Sequence, residues 1–172
     1  GKTVVVFETL YVEDKEVGAH TDINDKEQSV NYPEVGTKAS ESSIHGDTVV
    51  LKDIVSYDNL VPGKEYKVTG VLMDKATGEA FKVDDKEVTG EATFTANKKG
   101  TGTVEVEFIF DRKAIEDPKN LVVFEKLYNV EGKLVGLHED LEDKDQTVEV
   151  KPEIEVKTDA IDKDTEMDEG LA

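Results

Sequence analysis

An all-β chain, built as an antiparallel sandwich repeated in tandem, is the fold class this sequence predicts. Three observations predict it. Apolar and polar residues alternate with period two through most of the chain. Turn clusters interrupt the alternation at roughly 8–12-residue intervals, which is sandwich spacing. Finally, the start of the chain returns near its end. Val5-Val6-Phe7-Glu8-Thr9-Leu10-Tyr11 recurs as Val122-Val123-Phe124-Glu125-Lys126-Leu127-Tyr128, an offset of 117. Val17-Gly18-Ala19-His20 matches Val135-Gly136-Leu137-His138 at an offset of 118. Asp25-Lys26-Glu27-Gln28-Ser29-Val30 matches Asp143-Lys144-Asp145-Gln146-Thr147-Val148, also at 118. Such a period is that of a domain, well above the 20–50 residues of a solenoid turn.

The elements follow in order. Residues 1–32 read as the closing strands of a preceding repeat, and Pro33 marks the junction, since proline interrupts a ladder and stiffens a linker. Residues 33–151 make one complete repeat. It opens on a strand carrying Val35, Thr37 and Ala39 on one face. His45 is expected in a surface loop. Val49, Leu51, Val55 and Tyr57 then share a face, and Glu65 to Met73 is a further strand. Lys75 to Gly78 and Asn97 to Gly100 are turns. Val104, Val106, Phe108 and Phe110 line another inward face. Only Arg112 to Glu116 suits a helical turn, stopped before Pro118. Strands through Leu121–Leu127 and Val148–Val150 close the repeat. Pro152 marks the second junction, so 152–172 is expected to be the opening strand of a following repeat. The chain is read as a window on a longer array.

Composition narrows the function. The 172 residues include 40 acidic and 21 basic side chains, giving a formal net charge of −19. That balance argues against a nucleic-acid groove or an anionic membrane surface, where the phosphate term would be repulsive. There is no Cys, which excludes disulfides, zinc-thiolate sites and thiol nucleophiles.

The informative residues are polar ones at strand positions where the pattern demands apolar ones. Asp53 falls on the Val49, Leu51, Val55 face, and Glu125 on the Leu121, Val123, Leu127 face. Gln146 leads Val148 and Val150 at period two. Thr37 sits between Val35 and Ala39. A buried carboxylate costs several kcal/mol unless paired or protonated, so two in one core need a reason. Taken singly, each has an ordinary explanation at a sheet edge or turn. Taken together, with Glu8, His20, Asp25 and Gln28 repeating the pattern Glu125, His138, Asp143 and Gln146, they indicate a shared site.

These residues carry a family resemblance. Thr37-x-Ala39, Asp53 to Leu60, Pro62 to Tyr66, Val122-Val123-Phe124-Glu125, His138-Glu139-Asp140 and Asp143 to Gln146 span nearly all of 33–151. As a set they resemble the VaFE-type repeat of Gram-positive surface adhesins. These are the Thr–Gln ester-bond domains, relatives of the immunoglobulin-like collagen-adhesin B-type domains of pili. The resemblance implies an intramolecular ester between Thr37 and Gln146, formed once by the fold on itself with loss of ammonia and without a cofactor. It implies His138 as base, Asp143 as its orienting partner, and Asp53 and Glu125 as carboxyls that share a proton and polarise the amide. Asp47 competes with Asp53 for the early acid. In the partial repeats, Gln28, His20, Glu8 and Asp25 correspond at one end and Thr158 at the other, although extra residues after Pro152 disturb that last match. The implied setting is a secreted, wall-anchored stalk. Its partners would be neighbouring repeats, with a head-to-tail filament as one arrangement, and a host ligand held by a tip domain outside this sequence.

Three other readings compete. A Lys–Asn isopeptide domain would use Lys38, but alternation puts Lys38 on the face opposite Thr37, and the closing strand offers Gln146 rather than Asn. Hydroxylamine separates the two, because it cleaves esters and spares amides. A calcium-dependent adhesive sandwich would use the alternating acids Asp162, Asp164, Glu166 and Asp168, which lack the EF-hand's loop Gly and terminal Glu. A turnover hydrolase would need an exposed nucleophile elbow, metal cluster or phosphate loop, and the sequence has no such motif.

Overall fold

The computed structural model describes residues 1–39 and 43–152. Four strands precede Pro33: β1 (Lys2–Val5), β2 (Glu8–Val12), β3 (Lys15–His20) and β4 (Ser29–Tyr32). The strands that follow are β5 (Glu34–Ala39), β6 (Ser43–His45), β7 (Thr48–Asp58), β8 (Glu65–Asp74), β9 (Glu79–Ala80), β10 (Lys82–Val83), β11 (Lys86–Glu87) and β12 (Thr89–Thr95). The chain then runs through β13 (Gly102–Asp111), a 3-10 turn at Arg112–Ala114, β14 (Lys119–Asn129), β15 (Leu134–His138) and β16 (Thr147–Val150). Every described pairing is antiparallel.

Two sheets make the sandwich. One has the order β12-β8-β14-β15, with β16 also on β14 and β9 on β8; the other has the order β13-β7-β5, with β6 also on β7. Alternation dictates what lies between them. Val49, Leu51, Val55 and Tyr57 of β7 and Val106, Phe108 and Phe110 of β13 are buried. They pack against Val68 and Leu72 of β8 and Leu121, Val123 and Leu127 of β14. Tyr57 stacks on Phe94 with ring centroids 4.7 Å apart, an offset geometry that aromatic pairs favour. His45, expected in a loop, instead ends the short strand β6, where it pairs with Thr48 and stays exposed.

The two sheets share a device. The long strands β7 and β14 each have one edge occupied by two short strands in succession. β5 pairs with Asp53–Asp58 and β6 with Thr48–Val50. In the other sheet β15 pairs with Glu125–Tyr128 and β16 with Lys119–Val122. The β14 edge therefore contains a break between Val122 and Glu125, and the backbone amide of Ala39 in β5 donates to the carbonyl of Asp145 at 2.9 Å. This bond ties the first strand of one sheet to the loop that enters the last strand of the other.

The N-terminal strands stay outside these sheets. β1 pairs with β4 and β2 with β3, each as a separate two-stranded sheet. They reproduce the β14, β15 and β16 arrangement in miniature, down to the ladder irregularity after Leu10 that matches the one after Leu127. Val4, Phe7, Leu10, Tyr11 and Val30 are exposed there.

Candidate functional site

Asp53 and Glu125 each sit on a long strand at the point where the neighbouring short strand ends. Asp53 pairs with Ala39, the last residue of β5. Glu125 pairs with His138, the last residue of β15. Glu125 thus occupies the last rung before the break in the β14 edge. Asp53 and Gln146 are 0% exposed and Glu125 1%. Thr37, two residues before Ala39, buries its hydroxyl oxygen as well. Gln146 precedes β16, and its carbonyl accepts from the amide of Val123 at 3.2 Å.

The defining property of the site is what these side chains lack. Buried polar atoms are normally hydrogen-bonded. Among the described residues, those left without a donor–acceptor partner are Gln28 Oε1, Thr37 Oγ1, both oxygens of Asp53, both oxygens of Glu125, and the amide oxygen and nitrogen of Gln146. All but one belong to four residues that the fold brings to the same edge of the sandwich.

Two neighbouring buried carboxyls cannot both stay ionised. Burial, and then the neighbouring Asp53 carboxyl, push Glu125 up to about 10, with the Thr37 hydroxyl pulling the other way. Burial also raises Asp53, opposed by the Glu125 carboxyl, the Ile54 amide and His138. At neutral pH the pair therefore keeps a proton, shared between the two carboxyls.

His138 is held from outside. Its Nε2 lies 2.9 Å from Asp143 Oδ2. Asp143 is fixed in turn by the Asp145 amide at 2.8 Å, and its carbonyl accepts the Thr147 hydroxyl at 2.6 Å. Because the carboxylate only accepts, Nε2 carries the proton and Nδ1 is left as the basic nitrogen. The N-terminal copy repeats this geometry. His20 Nε2 lies 2.8 Å from Asp25 Oδ2, and Glu8 pairs with His20. Asp25 accepts from the Glu27 amide at 2.8 Å, and Ser29 donates to its carbonyl at 2.6 Å.

The structure separates the remaining candidates. Asp47 lies on the surface, 3.1 Å from Lys113 Nζ, so the early acid in the cluster is Asp53. Lys38 is exposed on β5, away from the buried residues. Thr158 and the acidic run Asp162 to Asp168 lie outside the described residues.

Two glycines complete the site, and sequence reasoning passed over both. Gly70 pairs with Glu125 across the ladder, and a Cβ there would fall 2.5 Å from Phe108 Cζ and 3.6 Å from Glu125 Cγ. At Gly136 a Cβ would meet Val35 Cγ2 at 2.6 Å, which would push β5 off β15. A glycine inside a strand marks a close approach, and that was the available signal.

A sandwich that buries a Thr, a Gln and an acid pair where its first strand meets the loop entering its last defines the class of domain. A model of the T-Q ester bond containing domain matches the chain over residues 1–32 and again over 33–150, and the chain belongs to that family. Among solved structures it is similar to a bacterial adhesin from Mobiluncus mulieris containing intramolecular disulfide, isopeptide and ester bond cross-links. One crystal form aligns with TM-score 0.57 at 20% identity, covering 71% of this chain and 58% of that one. A second form aligns with TM-score 0.56 at 19% identity, with the same coverage of both chains. The shared feature is the sandwich fold, and the chain matches little over half of the adhesin's length. No curated protein sequence matches it.

Proposed function

We propose that residues 33–151 form a structural module that crosslinks itself once, through an ester between Thr37 and Gln146, and that it serves in the stalk of a bacterial surface adhesin. The observation that carries this reading is the set of unpartnered buried atoms on Thr37, Asp53, Glu125 and Gln146. A core retains such groups at a cost of several kcal/mol unless chemistry uses them.

In the proposed reaction Thr37 Oγ1 attacks the side-chain carbonyl carbon of Gln146, and the hydroxyl proton passes to Nδ1 of His138. The carbonyl electron pair moves onto oxygen, where the Glu125 proton stabilises it. As the pair returns, the C–N bond breaks and the nitrogen takes the proton from His138. Ammonia leaves and the ester remains. No proton is consumed overall, and no second substrate enters. The chain acts on itself alone and turns over once.

The tie joins the first strand to the last, so tension entering at Pro33 and leaving at Pro152 would bypass the residues between 37 and 146. Residues 1–32 and 152–172 belong, on this reading, to flanking repeats of a wall-anchored fibre. Intact-mass measurement tests the proposal. The folded chain should lack the mass of one ammonia relative to its sequence, and Thr37→Ala or Gln146→Ala should restore it. Full mass in the folded wild-type chain would remove the ester.

A further inference from the structure

One residue, Pro33, separates the end of β4 from the start of β5. The strands on either side belong to different sheets, and no ladder crosses the junction. A side chain crosses it instead. Asn59, in the turn after β7, donates through Nδ2 to the carbonyl of Lys2 at 2.7 Å and lies 3.4 Å from the carbonyl of Tyr32. Its Oδ1 accepts the Thr3 hydroxyl at 3.1 Å. Lys2 and Tyr32 face each other as the end rung of the β1–β4 ladder, so a single amide grips both strands of that hairpin.

The backbone at Asn59 is adapted to this task. Its φ is +60°, in the left-handed region that asparagine tolerates better than other side-chain-bearing residues. The approach is close as well, since a Cβ on Gly1 would fall 2.4 Å from Asn59 Cβ. Neighbouring domains move relative to one another by default unless their interface is large and apolar. Here a one-residue proline linker and a polar clasp replace such an interface.

We infer that the sandwich end around Asn59 is an interaction surface for the preceding repeat, and that its partner is the end rung of that repeat's closing hairpin. Asn59 latches the joint and fixes the angle between successive repeats. This rests on the tandem-array reading given above.

The absence of cysteine allows a direct test on the full 172-residue chain. Spin labels on Lys15→Cys in β3 and Thr93→Cys in β12, both exposed strand positions, report the distance across the joint. The latched joint gives a narrow distance distribution. Asn59→Gly keeps the left-handed backbone and removes the amide, and it should broaden that distribution. Asn59→Asp keeps the acceptor for Thr3 but loses both donations, and it should broaden it too. A broad distribution with Asn59 in place, or a narrow one unchanged in Asn59→Gly, would overturn the latch. Intact mass of the same samples reads the ester independently, so a missing crosslink and a loose joint are distinguishable failures.

Discussion

Glu125 is where a single residue's chemistry is most strongly set by its surroundings. Its carboxyl is protonated in the folded state up to about 10, against an ordinary value of 4.5 once unfolded. Between those values the folded state holds the extra proton, so stability falls as pH rises through that window. In uncrosslinked Thr37→Ala, the denaturation midpoint should therefore decline steadily from mildly acidic to alkaline pH. Adding Glu125→Gln, a neutral side chain of the same shape, should flatten the decline. An equal slope in both variants would place the retained proton elsewhere. The residues of this site were largely legible from sequence, because alternation tells which face a side chain occupies. Asp53, Glu125, Gln146 and Thr37 each stood out as a polar group at an apolar position. The choice between Asp47 and Asp53 needed the structure to show Asp47 on the surface with Lys113.

At the scale of elements, strand existence was readable and strand adjacency was not. Period-two alternation marks β7, β8, β13 and β14 unmistakably, yet it does not say which strands share an edge. The division of the β14 edge between β15 and β16, and of the β7 edge between β5 and β6, depends on pairings between residues far apart in sequence. The two-residue strands β9, β10 and β11 are too short to leave a periodic signal. Gly70 and Gly136 belong to this scale, because each sets how closely two elements approach. Gly70→Ala would drive a methyl group into the Phe108 ring and should cost about 1–3 kcal/mol, the usual range for overpacking a core. Gly136→Ala should displace β5 by way of Val35 and slow ester formation more than it lowers stability. Denaturant titration and timed intact-mass measurement on each variant check both. Wild-type crosslinking kinetics in Gly136→Ala would show that β5 closes on β15 without needing that space.

For the whole molecule the proposed tie between residues 37 and 146 would close nearly the entire sandwich into one loop. Chain-entropy accounting for a loop of about 100 residues gives about 4–5 kcal/mol of added stability. Thr37→Ala should lose an amount of that order, read as a lower denaturation midpoint and faster proteolysis. A variant as stable as wild type would mean that the loop was never closed. The proposed reaction would also change how well the interior suits its contents. Before it, besides the proton kept by the acid pair, the buried cluster carries three donor hydrogens, one on the Thr37 hydroxyl and two on the Gln146 amide. None has an acceptor in regular geometry. Afterwards, on the proposed chemistry, all three have left with ammonia, and the ester that remains donates nothing. An acceptor-only group sits in an apolar interior at far smaller cost than an unpaired N–H or O–H. The frustration of the newly folded core would thus be discharged by the bond itself, the departing ammonia carrying the mismatch out to water.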